Sequence, residues 1–175
     1  MESLTASLLI ITGTMGAGKT AVLAEASDLL TQRHIPHAAI DLDALGLADL
    51  PSREPSDAVM HSNLHSVCAN YSSLGVRRFL VARAIENRTD LELCRHAVAA
   101  TCTVVCRLTA GLETMQQRLM MRESGVLQQQ FVDRVSELNA ALDRARLEDF
   151  AIANENRSLT EVATEMLLKA GWLAV

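Results

Sequence analysis

Lysine is nearly absent from this chain: of sixteen basic residues only Lys19 and Lys169 are lysines, the rest being arginine. A net charge of −5 argues against a general nucleic-acid binder, whose affinity rests on many cationic phosphate contacts. A helicase or motor would need a longer chain and a basic track, and neither is present. No Asn-Lys-x-Asp motif occurs, which argues against a GTPase switch. The start, Met1-Glu2, is not basic, and the apolar run behind it is too short for a signal peptide or a membrane span. The expectation is a cytoplasmic protein with no membrane partner. The four cysteines, Cys68, Cys94, Cys102 and Cys106, make no C-x-x-C pair and no zinc spacing with histidine. Cys102 and Cys106 fall in or beside an apolar strand, so buried, reduced thiols are expected.

What is present points one way. The chain has 175 residues, 49% of them hydrophobic and 21% charged, which suits one globular domain over residues 1–175. One of the two lysines completes Gly13-Thr14-Met15-Gly16-Ala17-Gly18-Lys19-Thr20, a full G-x-x-x-x-G-K-[ST] pattern. It follows the apolar run Leu8–Ile11 and opens a helical segment, the setting in which this pattern binds phosphate. Glycines let successive N–H groups curl inward as an anion nest. The N–H groups of Gly18, Lys19, Thr20 and Ala21 open the helix, whose positive end adds to the field. Lys19 suits the β- and γ-phosphates of a nucleoside triphosphate, and the Thr20 hydroxyl suits Mg²⁺.

Strand-like and helix-like segments alternate to the end of the chain. Strands are expected at 7–12, 38–41, 78–82, 103–108 and 150–153. Helices are expected at 19–33, ended by Pro36, and then at 56–73, 89–99, 112–122, 127–147 and 158–170. Thr89-Asp90-Leu91-Glu92 and Ser158-Leu159-Thr160-Glu161 both read as capping boxes. Phe131, Val135, Leu138 and Leu142 share one face of the fifth helix, and Leu159, Val162, Ala163, Met166 and Ala170 point inward from the sixth. Alternation with short connections means a parallel sheet covered by helices on both faces.

Asp41-Leu42-Asp43 closes the second strand. At strand spacing both carboxylates point to one face, at the strand ends where open α/β sheets bind ligands. One would hold Mg²⁺ and the other would orient or deprotonate a substrate hydroxyl; an exposed acidic turn is the plain alternative. No acid ends the third strand, where Arg83 stands instead. Arg83 and Arg53 are candidate substrate-binding residues, and 51–74 is the expected substrate segment. His61 and His65, at i and i+4, read as satisfied surface or pocket-lining side chains rather than metal ligands. Arg118 and Arg122 lie four apart just before Ser124-Gly125, within an expected lid over about 115–130 that would close on transferring phosphates. The loop Asn154-Glu155-Asn156-Arg157 after the fifth strand either cradles the nucleotide base, with Asn156 and Arg157 as the candidate contacts, or forms an ordinary polar turn.

The phosphate loop, Asp41-x-Asp43 and Arg118-x-x-x-Arg122 together resemble the shikimate kinase and adenylylsulfate kinase branch of P-loop small-molecule kinases. Gluconate kinases and chloramphenicol phosphotransferase are similar at the same points. The resemblance implies an α/β three-layer fold with a five-stranded parallel sheet ordered 2-3-1-4-5, a helical lid, and ATP with Mg²⁺ as phosphoryl donor. It maps Gly13, Gly16, Gly18, Lys19 and Thr20 to phosphate and metal, Asp41 to the metal side, Asp43 to the substrate side, and Arg118 to the lid. Shikimate kinases carry a glycine triplet after the third strand; here Ala82-Arg83-Ala84-Ile85 stands in that place. The implied activity is transfer to a hydroxyl or phosphate group of a metabolite, nucleotide or antibiotic, by a monomer or homodimer. The alternative is a nucleotide-binding regulatory ATPase with no acceptor.

Overall fold

Leu8, Leu9, Ile10 and Ile11 are all fully buried, which alternating polarity would not allow and a central parallel strand demands. The computed structural model describes residues 5–48, 56–122 and 128–174, leaving aside the side chains of 56, 122 and 128–132. The strands are β1 (Ala6–Thr12), β2 (Ala38–Asp41), β3 (Arg78–Ala82), β4 (Ala100–Thr109) and β5 (Phe150–Ala153). The helices are α1 (Lys19–Gln32), α2 (Ser56–Ser73), α3 (Arg88–Val98), α4 (Leu112–Arg122), α5 (Gln128–Ala145) and α6 (Leu159–Lys169). All pairings are parallel and the order is β2-β3-β1-β4-β5, as the resemblance implies.

Strand β1 feeds two cores because its residues alternate faces. Leu9 and Ile11 join Val22, Ala26 and Leu30 of α1 and Val162, Ala163 and Met166 of α6. Leu8 and Ile10 join Met60 and Leu64 of α2 and Leu91 and Cys94 of α3. Truncating any of these strand leucines costs about 2–5 kcal/mol, since both sides are packed. Val135, Leu138 and Leu142 of α5 are buried, as their spacing predicts, while the Phe131 side chain lies outside the described residues.

Three expectations are corrected. The N-cap of α3 is Asn87, whose side chain accepts from Asp90 N, so Thr89 sits inside the helix instead of starting it. Leu159 of α6 is exposed, because the inward stripe begins at Val162. Cys102 is exposed: β4 starts at Ala100, three residues earlier than expected, and only its stretch from Val105 to Leu108 is buried. The capping box at Ser158 and Glu161 forms in full. His61 is buried, with Nδ1 2.7 Å from Asp57 O and Nε2 3.8 Å from Cys94 Sγ. His65 Nδ1 lies 3.2 Å from Ala97 O, so both histidines join α2 to its surroundings, and no metal-ligating cluster exists among the described residues. Among the described residues, no helix is long and apolar enough to cross a membrane.

Cys68, Cys94 and Cys106 are buried, and desolvation pushes each thiol up to about 12. The thiolate is the reactive form. The folded protein should therefore give one fast equivalent with a disulfide reagent at pH 8, lost in Cys102→Ser, and four after denaturation. Rapid modification of a second thiol in the folded state would contradict the packing described.

Candidate active site

The ladder continues past the formal strand ends: Leu42 N donates to Ala82 O at 3.1 Å and Arg83 N to Ile11 O at 3.1 Å. These two bonds align the carboxyl ends of β2, β3 and β1, setting the acidic pair and Arg83 beside the loop that follows β1. The sheet changes direction of winding here, the place where doubly wound folds bind ligands. A cleft of about 530 Å³ opens at this rim, lined by Gly16, Gly18, Lys19, Thr20, Asp43 and Arg118 among others.

The loop is left-handed at Gly16 (φ 78°) and Gly18 (φ 93°), conformations that glycine tolerates. Close packing excludes side chains at both. A Cβ on Gly16 would stand 2.4 Å from Met115 O, and one on Gly18 2.3 Å from Asn154 Nδ2. Lys19 Nζ donates to Gly13 O at 3.0 Å and Thr14 O at 3.2 Å, so its ammonium lies across the loop. Thr14 is buried and its hydroxyl donates to Val135 O of α5. Met15 and Ala21 line the cleft, and Ala17 is fully buried beneath it.

Asp41 and Asp43 reach the site by different routes. Asp41 ends β2 and accepts the Thr20 hydroxyl on Oδ2 at 2.7 Å. The chain then turns helical at Leu42 (φ −69°, ψ −31°), and Asp43 opens a 3₁₀ turn over Asp43–Gly46. Strand spacing thus fails to hold across the pair, although Leu42 is buried and Asp43 still lines the cleft. The hydroxyl of Thr20 and the carboxylate of Asp41 are hard oxygen donors, the set Mg²⁺ takes together with water and phosphate oxygens.

Arg83 lies next to Asp43, but its guanidinium is turned onto carboxylates. Its nitrogens stand 3.0 Å from Asp43, 3.4 Å from Asp57 at the start of α2, and 3.9 Å from Asp90 at the start of α3. Its side chain is 14% exposed, while those of Asp43 and Asp57 are 61% and 64% exposed. Arg53 lies outside the described residues, as does the Arg122 side chain and the Ser124-Gly125 break.

Arg118 points back onto the loop from α4, donating to Gly16 O at 3.2 Å and Asn154 O at 2.8 Å. Asn154 and Glu155, which the sequence marks only as part of the loop after β5, have roles that sequence reasoning missed. Asn154 is buried and donates to Ala17 O at 2.8 Å. Glu155 accepts from Gly111 N at 3.2 Å and from the Thr114 hydroxyl, closing the N-terminus of α4. Those bonds, the Thr114 hydroxyl first, lower its carboxyl below the ordinary value. No local pattern marks either residue, because their partners lie some forty residues or more away. Asn156 takes a left-handed turn conformation, and Arg157 pairs with Glu165 at 2.7 Å; neither lines the cleft.

No family model matches the sequence, nor does any curated protein. Solved structures do match over nearly the whole chain. A sugar kinase from Janibacter sp. shares 15% identity over 96% of both chains, with a TM-score of 0.64. A shikimate kinase from Acinetobacter baumannii, in complex with shikimate, shares 17% over 97% of this chain and 96% of that one, TM-score 0.60. An APS kinase from Mycobacterium tuberculosis, in complex with AMPPNP and APS, shares 17% over 95% and 97%, TM-score 0.60. The chain therefore has the fold of the P-loop small-molecule kinases.

Gly16→Ala tests how tightly the loop is held. The left-handed backbone alone should cost about 1–3 kcal/mol, and the clash with Met115 O adds to it. Denaturant unfolding should show a lower midpoint with an unchanged slope. A midpoint equal to that of the parent would mean that α4 does not press on the loop.

Proposed function

We propose that this protein transfers the γ-phosphoryl group of ATP, with Mg²⁺, to a hydroxyl or phosphate group of a small molecule. The observation that carries the reading is Asp43 lining one cleft with Lys19 and Thr20, next to the Thr20–Asp41 hydrogen bond. A phosphate loop alone would serve any nucleotide binder. A carboxylate sharing its cleft supplies what a second substrate needs, and this disfavours a regulatory ATPase with no acceptor.

The roles follow from position. Loop N–H groups and the start of α1 hold the β- and γ-phosphates, and Lys19 contributes a point charge there. Thr20 and Asp41 would hold Mg²⁺, which when bound neutralises charge on the phosphate oxygens. Asp43 orients the acceptor hydroxyl. As the acceptor oxygen bonds to the γ-phosphorus, the bond to the bridging oxygen breaks, ADP leaves, and the hydroxyl proton passes to Asp43. Arg83 fixes the direction of the Asp43 carboxylate. Arg118, whose guanidinium has five N–H donors, two of them on loop and turn carbonyls, adds positive charge beside the phosphates. With three carboxylates around one guanidinium, the acceptor side favours neutral or cationic compounds over acids, and so a hydroxyl over a phosphate as the acceptor group.

The test is transfer from γ-labelled ATP to pooled nucleosides, nucleotides, sugars, amino-sugars, sugar acids and hydroxylated antibiotics. Lys19→Ala should lower the rate about 10²–10³-fold, the loss typical of one preorganised donor. Asp43→Asn should lower it about 10²–10⁴-fold, as expected for a positioned base, with ATP affinity nearly unchanged. Tight ATP binding with no labelled product from any acceptor class would favour the regulatory reading.

A further inference from the structure

Planarity of the peptide bond ties each carbonyl in the phosphate loop to the N–H that follows it, pointing the other way. The Gly16 carbonyl is taken by Arg118, and the next N–H, that of Ala17, donates to Thr14 O at 3.2 Å within the loop. The following peptide differs. Its carbonyl, Ala17 O, is taken at 2.8 Å by the side chain of Asn154, a residue that does not line the cleft. Its N–H belongs to Gly18, which lines the cleft.

Asn154 is itself held on three sides. Its backbone N donates to Thr109 O at 2.8 Å, its backbone O accepts from Arg118 at 2.8 Å, and the residue as a whole is 4% exposed. The space between Asn154 and Gly18 admits no methyl group. A side chain so constrained is held in one orientation, with its amide nitrogen on the Ala17 carbonyl.

We propose that Asn154 is a positioning residue of the nucleotide site: by holding the Ala17 carbonyl outward it aims the Gly18 N–H at the phosphates. This rests on reading the loop as a triphosphate site. It also makes the loop's donor geometry depend on the turn after β5, through a contact that the G-x-x-x-x-G-K-[ST] pattern does not contain. A mere stabilising role, satisfying one buried carbonyl, would alter unfolding and leave phosphate affinity alone.

The two are separated with inorganic tripolyphosphate, which has no base or ribose, measured by calorimetry beside Mg²⁺ and ATP. Asn154→Ala should weaken tripolyphosphate and ATP by a similar factor, about tenfold, the scale of one lost hydrogen bond. Asn154→Asp, the same shape with an acceptor facing an acceptor, should weaken both at least as much. In ¹⁵N-labelled protein the Gly18 amide should shift on tripolyphosphate binding in the parent, and much less in either variant. Parental affinity and a parental Gly18 shift in a folded variant overturn the proposal while leaving the phosphate site intact. A parent protein that binds neither tripolyphosphate nor ATP overturns the reading of the loop itself, and the proposal falls with it. Should Asn154→Ala fail to fold, Asn154→Asp carries the same two readouts.

Discussion

A loop can turn its N–H groups toward an anion only if its carbonyls are accommodated on the other side, and most of this structure serves that condition. Gly16 O meets Arg118, Ala17 O meets Asn154, and Gly13 O and Thr14 O meet Lys19. An unpaired buried carbonyl costs about 1–3 kcal/mol, so these partners decide whether the loop can keep its shape when empty. They come from α1, α4 and the turn after β5, which brings three separate stretches of chain to one point.

The sheet makes that convergence possible. Strand β1 is buried on both faces and cannot shift register without moving two cores at once. Its neighbours β3 and β4 run parallel to it, and the bonds beyond the strand ends bring Asp43 and Arg83 to the same rim. The tolerance for close approach is small: Gly13, Gly16 and Gly18 each face an atom within 2.7 Å of where a Cβ would stand. Glycine is required there by packing as much as by conformation.

What could be read from the sequence follows the range of the interactions involved. The phosphate loop, the apolar runs of β1 and β3, and the Ser158–Glu161 box are local patterns, and each appears where expected. The start of α3 is less legible, because Asn87 and Thr89 are both competent N-caps two residues apart and only the fold selects one. Asp41 and Asp43 were found by type, though their geometry depends on a helical turn at Leu42 that no spacing rule contains. Asn154 and Glu155 are legible only as part of the loop after β5, without a role for either. Each acts across more than forty residues, on partners fixed only when β5 docks against β4.

Arg83 shows why distance alone does not assign a role. Three carboxylates within 4 Å of one guanidinium suggest a stabilising hub. Two of the three are largely exposed, and pairs of that kind contribute about 0–1 kcal/mol. Asp57 and Asp90, moreover, sit in the first turns of α2 and α3, where the helix termini already favour them. What Arg83 alone supplies is direction: it is mostly buried, follows a central strand, and reaches the one carboxylate in the group that lines the cleft. Asp43 stands at the start of a short 3₁₀ turn with its side chain in water, and without that contact nothing among the described residues would hold its rotamer. An arginine at the end of β3, where many triphosphatases place an acid, thus makes sense as the support of an acid in the turn after the neighbouring strand.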